Sequence, residues 1–134
     1  MPSRLRPADP DEAAAALSRV LEALDALDAR TEPDRDDLRL LVRHFLALLA
    51  GKAPGRSVEV RVPPYAAIQC VPGPRHTRGT PPGVVEMDPV TWILLCAGRR
   101  TWQDAVHEGA VHASGERTDL SGYLPLPVPR SGKG

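Results

Sequence analysis

The sequence predicts an α+β domain, a curved sheet of about 4–5 strands with helices packed on one face and an N-terminal helix ahead of it. Three observations predict the class. Two amphipathic helical stretches open the chain, alternating valines begin at Arg56, and compact helices with glycine stops follow in the second half. Helices and strands that are grouped, instead of alternating one by one, argue for α+β over a doubly wound parallel sheet.

Each element has a local cause. Asp9-Pro10-Asp11-Glu12 starts the first helix, with Asp9 as cap and Pro10 at the first helical position. Ala13, Leu17, Val20, Leu21, Leu24 and Leu27 then form one apolar stripe. The stripe packs on a core or serves as a dimerisation arm. Thr31-Glu32-Pro33-Asp34 breaks this helix and starts the next, whose stripe runs Leu38, Leu41, Val42, Phe45, Leu46 and Leu49 to a stop at Gly51. From Arg56 to Val62 the period changes to two, which predicts a half-buried strand. Pro63-Pro64 ends it, and Tyr65–Val71 reads as a second strand, antiparallel to the first. Residues 72–83 carry four prolines and are a loop. Val84–Met87 is a short strand. Asp88-Pro89 opens an apolar helix stopped by Gly98, and Thr101–Asp104 opens another that ends near Gly109. Ala110–Ser114 is a candidate strand, Arg117–Tyr123 a last short helix. Residues 1–33 therefore read as tail plus amphipathic helix, 34–126 as the α+β domain, and 127–134 as a disordered Pro/Gly tail.

Composition excludes several functions. The 134 residues carry 17 Lys+Arg against 17 Asp+Glu, so no basic coat for nucleic acid exists. Aromatics are 4%, too few for a base-stacking platform. No apolar run is long enough to span a bilayer, and no apolar signal core opens the chain, so a cytoplasmic location is expected. Cys70 and Cys96 lack a CxxC spacing and are expected reduced and buried. Fifteen of the basic residues are arginine, a bias typical of a GC-rich genome.

The second half carries a familiar order of motifs. Asp88-Pro89-Val90-Thr91-Trp92 leads to Gly98. Trp102-Gln103-Asp104-Ala105-Val106 leads to Gly109-Ala110-Val111, and Ser114-Gly115-Glu116-Arg117-Thr118-Asp119-Leu120 closes the pattern. This resembles the C-terminal signature of the sterol carrier protein type 2 superfamily, which includes the C-terminal domain of mycothiol-dependent maleylpyruvate isomerases. With Arg56–Pro64 and Gly73–Pro82 added, the stretch from Asp34 to Leu126 is similar to a short actinobacterial branch, the bacterial sterol carrier protein orthologues. The resemblance implies a sheet-and-helix domain, with an apolar cavity for a lipid or acyl chain in larger relatives. The lining implied here is Val58, Val60, Val62, Ile68, Trp92, Ile93, Leu95 and Leu124. The competing reading is that these side chains pack together, since a ligand of sterol size needs roughly 300 Å³ or more.

Residues 54–83 hold four arginines and one acid. Arg75, His76 and Arg78 on a Gly/Pro-rich loop, joined by Arg61, are candidates for an anionic head group, because arginine forks and loop amides suit oxyanions. They are equally candidates for solvation or for pairing with Glu59, Glu86 and Asp88. No phosphate-loop or dinucleotide fingerprint occurs. His44, His76, His107 and His112 lack metal-ligand spacing, so no metal and no cofactor are expected. No nucleophile has a base within a motif, so no catalytic residue is assigned. The sequence reads as a non-catalytic binding module for a lipid or amphipathic small molecule, or as a protein-interaction domain with a filled core. An enzyme acting on an anionic substrate is a weaker third reading.

Overall fold

The computed structural model describes residues 5–26, 31–73 and 82–130. Two helices, α1 (Pro10–Asp25) and α2 (Arg35–Lys52), precede strands β1 (Val58–Val62), β2 (Ala66–Cys70) and β3 (Gly83–Met87). Then come α3 (Pro89–Cys96), α4 (Trp102–His107), β4 (Val111–Gly115) and a single 3-10 turn, Ser121–Tyr123. The fold is α+β, with four strands among the described residues.

The predicted caps do what their chemistry suggests. Asp9 accepts from the Asp11 and Glu12 amides, Asp34 from those of Asp36 and Asp37, Asp88 from Thr91, and Thr101 from Asp104. Both short helices end in the same double-bonded manner. Gly98 donates to Leu95 and Arg99 to Leu94, while Gly109 donates to Val106 and Ala110 to Ala105.

The sheet order is β2-β1-β3-β4. β1 pairs antiparallel with β2, as the sequence predicts, but parallel with β3, and β3 pairs antiparallel with β4. β3 therefore returns past β2 to lie on the far side of β1.

Period two decides the faces. Val58, Val60 and Val62 of β1 are buried, and so are Val85, Met87 and Cys70 on the neighbouring strands. They join Leu41, Phe45, Leu46, Leu49, Trp92 and Ile93 from the helices in one core. Ala13, Ala16, Leu17 and Val20 of α1 belong to the same core, so the first part of the stripe packs on its own chain, while Leu24 is exposed and Leu27 lies outside the described residues. Arg19 straps α1 to α2 through two bonds of 2.9 Å, from Nε and Nη2 to the two carboxylate oxygens of Asp37.

One predicted element is corrected. Residues 117–120 are not helical; only Ser121–Tyr123 forms a turn. Arg117 takes φ 62°, which no right-handed helix allows, and Asp119 accepts from the Ser121 amide to start the turn late. Residues after it are still anchored: the Leu126 amide donates to Cys96 O at 2.9 Å, with Leu126 itself buried.

Candidate functional site

The residues proposed to line a ligand cavity lie together, but they lie packed. Val58, Val60, Val62, Trp92 and Ile93 are 0% exposed and Leu95 is 2% exposed. Ile68 and Leu124 are half-buried against the same core. Trp92 crosses from α3 to α2, where its Nε1 donates to Val42 O at 3.3 Å. Its one polar atom is thus satisfied inside the core.

Arg61 is on the other side of the sheet. It alternates with Val60 and Val62, so its side chain projects from the open face while theirs enter the core. There it pairs with Glu59. Register places Ala67, Arg61, Glu86 and His112 in one row across all four strands of that face. The structure therefore separates Arg61 from the apolar residues by the thickness of the sheet. Arg75, His76 and Arg78 lie outside the described residues.

Among the described residues, two hollows stand out on the surface. One, of about 270 Å³, sits beside α3 and α4. Leu95, Trp102, Leu124 and Pro125 give it apolar walls, with Arg100, Gln103 and Ser121 at its edge. Arg100 is not free there: it pairs with Glu108 and reaches Thr91 Oγ1 at 3.5 Å. The other, of about 320 Å³, lies on the open face between Pro63, Glu86, Asp88 and His112. Neither is lined by the valines of β1 or by Trp92.

Burial favours the neutral form of both thiols and of the buried histidine. Burial pushes the Cys70 thiol up to about 12 and the Cys96 thiol well above its ordinary value, so both stay protonated. His44 is buried on α2; its Nδ1 accepts from the Ala8 amide at 2.9 Å, and desolvation lowers its pKa. Among the described residues, no three His, Cys, Asp or Glu side chains gather as a metal would require.

A different polar arrangement stands where the four strands end, and the sequence did not reveal it. Ser57 is 0% exposed, and its Oγ is a buried polar atom without a hydrogen-bond partner. Beside it lie Gly73 and the side chain of Arg117. A methyl group on Gly73 would stand 2.1 Å from Ser57 Oγ and 2.9 Å from Arg117 Nε. Ser57 precedes a strand and Arg117 lies in a polar turn, so neither position stands out by pattern.

With this geometry established, comparison with known proteins assigns the family. Residues 34–126 match the family described as bacterial SCP ortholog. The chain belongs to that family. The match covers α2 through the segment after the 3-10 turn, and so takes in the whole sheet of this sterol-carrier-like protein. Among curated proteins, none matches. No helix among the described residues is long and apolar enough to cross a membrane.

Proposed function

We propose that this member of the bacterial SCP ortholog family is a non-catalytic binding module that recognises a protein partner on its outside, with its sheet–helix interior filled by its own side chains. The observation that carries this reading is the close packing of the would-be lining. Val58, Val60, Val62, Trp92 and Ile93 have no solvent exposure and belong to one continuous core. An acyl chain among them would have to displace core contacts worth several kcal/mol, at roughly 25 cal/mol per Å² of apolar surface. Two buried protonated thiols and the sterol-carrier family support a non-catalytic role. Two free cysteines also suit a reducing compartment such as the cytoplasm. The module is the stretch 34–126, with α1 packed onto it; residues 131–134 of the expected tail lie outside the described residues.

A second reading rests on the hollow beside α3 and α4. Its apolar walls and polar edge suit an amphipathic small molecule held at the surface. Native mass spectrometry of the purified chain, followed by titration with a fluorescent fatty acid, separates the two. The filled-core reading expects a bare polypeptide mass and no saturable fatty-acid binding. A stoichiometric lipid adduct would overturn it. If the fatty acid binds and Trp102→Ala removes the binding, the surface hollow holds the ligand. The same spectrum reports whether two copies pair, as a dimerisation role for α1 requires.

A further inference from the structure

β4 is the outer strand of the sheet, with β3 as its neighbour on one side and no strand on the other among the described residues. Its pairing runs unbroken from Met87↔Val111 to Gly83↔Gly115, so no bulge turns it away. In an antiparallel pair, alternate residues turn their N–H and C=O outward. Among the described residues, no backbone bond reaches β4 other than its ladder with β3. The strand also lacks the usual protection of an edge. Val111-His112-Ala113-Ser114-Gly115 holds no lysine, no proline and no carboxylate, and His112 to Gly115 are exposed. Ala113 shares the core face with buried Val85, yet it is exposed too, so the helical layer stops short of it. The opposite edge differs: α2 packs against β2, where Cys70 is buried and Ile68 half-buried.

We propose that the free edge of β4 docks an extended segment of a protein partner, added as a further strand, with an arginine or lysine opposite His112; this rests on the reading above that the module recognises a protein on its outside. Charge selects the partner. The hollow of about 320 Å³ on the open face begins beside His112, and Glu86 and Asp88 line it. Glu86 stands directly across the ladder from His112. Neither carboxylate joins the ion pairs found among the described residues, and the lining holds no lysine or arginine. Asp88 gives Oδ1 to the Thr91 amide at 2.7 Å, which leaves its other oxygen for a donor from outside. Arg61, the base in the same row, is already paired with Glu59. A residue opposite His112 on an added strand stands about 10 Å from Glu86, two strand spacings away. Only a long cationic side chain bridges that span and meets the carboxylates with donors. The unpaired edge thus supplies backbone affinity, and the hollow supplies selection.

The test is fluorescence anisotropy of a labelled peptide titrated with the full chain. The peptide alternates threonine and valine and carries one arginine at its centre; a second peptide carries glutamate there. The arginine peptide binds saturably, and the glutamate peptide binds about tenfold more weakly or worse. Two further arginine peptides are N-methylated at one or the other alternate set of backbone amides. The set that faces β4 loses binding and the outward set keeps it, because strand addition uses only one edge of the peptide. In a Glu86→Gln, Asp88→Asn protein the arginine and glutamate peptides bind alike, while asparagine still caps α3. The peptide comparisons on the parent chain decide the matter even where that variant does not fold. Equal binding of the arginine and glutamate peptides to the parent chain would overturn the proposal, as would equal binding of the two N-methylated peptides or no binding at all. A parent chain that is dimeric and takes up no peptide would give the edge to a second copy. None of these results touches the filled interior: a stoichiometric lipid adduct ends that reading whatever the peptides do, so the two failures are told apart.

Discussion

Truncating Trp92 to alanine tests the filled interior directly. Trp92 is fully buried on α3, and its ring spans the space between α3 and α2. An indole buries roughly 150–250 Å², which at ~25 cal/mol per Å² gives about 4–6 kcal/mol as an upper figure. Measured truncations of buried aromatics fall at about 3–5 kcal/mol, because surroundings relax in part. The expected loss is therefore about 3–5 kcal/mol, a large share of the ~5–15 kcal/mol that holds a domain together. For a chain of this length it lowers the melting temperature by roughly 10–20 °C. Trp92→Phe keeps most of the apolar surface and drops only the bond to Val42 O, so about 1–2 kcal/mol is expected. Urea unfolding followed by far-ultraviolet circular dichroism measures both, since Trp102 complicates a fluorescence signal. A Trp92→Ala protein that loses under about 1 kcal/mol would refute the reasoning. The indole would then face an open space, and the filled-core reading would fall with it.

Three further predictions follow from single groups. His44 is neutral in the folded chain and its pKa is lowered by burial, so the unfolded chain takes up a proton first as pH falls. Stability should hold above the unfolded value near 6.5, decline as pH drops through and below it, and decline less in His44→Gln, by denaturant midpoints from pH 8 to 5. Cys70 and Cys96, both buried and protonated, should resist alkylation at pH 8 in the native protein and react at once in denaturant, as whole-protein mass would show. Fast native labelling of either would mean that the core opens readily. Gly115 has φ 88°, and a methyl group there would stand 2.0 Å from Pro82 O; Gly115→Ala should unfold at a markedly lower temperature, and an unchanged melt would refute the tight turn.

Much of this fold is written locally. Four helix starts were legible because Asp9, Asp34, Asp88 and Thr101 each act within three residues of themselves. The alternation Val58-Glu59-Val60-Arg61-Val62 was legible too, and it already implied that Arg61 faces away from the valines. The parallel pairing of β1 with β3 was not, because no local pattern records which edge a returning strand takes. The helix expected over Arg117–Tyr123 failed for a related reason. A left-handed residue at 117 is imposed by the strand end it follows, and the polar run around it carries no glycine at that position. The Ser57–Arg117 corner escaped for the same cause. Its members lie 60 positions apart in the chain and meet only when the strand ends converge.

The stretch that defines the family begins at Asp34, yet the core does not begin there. Ala13, Ala16, Leu17 and Val20 of α1 complete it, and Asp37 and His44 each take a hydrogen bond from outside the matched stretch. What is shared by descent and what melts as one unit are thus different lengths of chain. A truncation starting at Asp34 would lay bare the apolar side of α2 that α1 now covers and leave Asp37 without its arginine. In hydrogen exchange, the amides of α1 should therefore open together with those of α2, ahead of any boundary that kinship alone would draw.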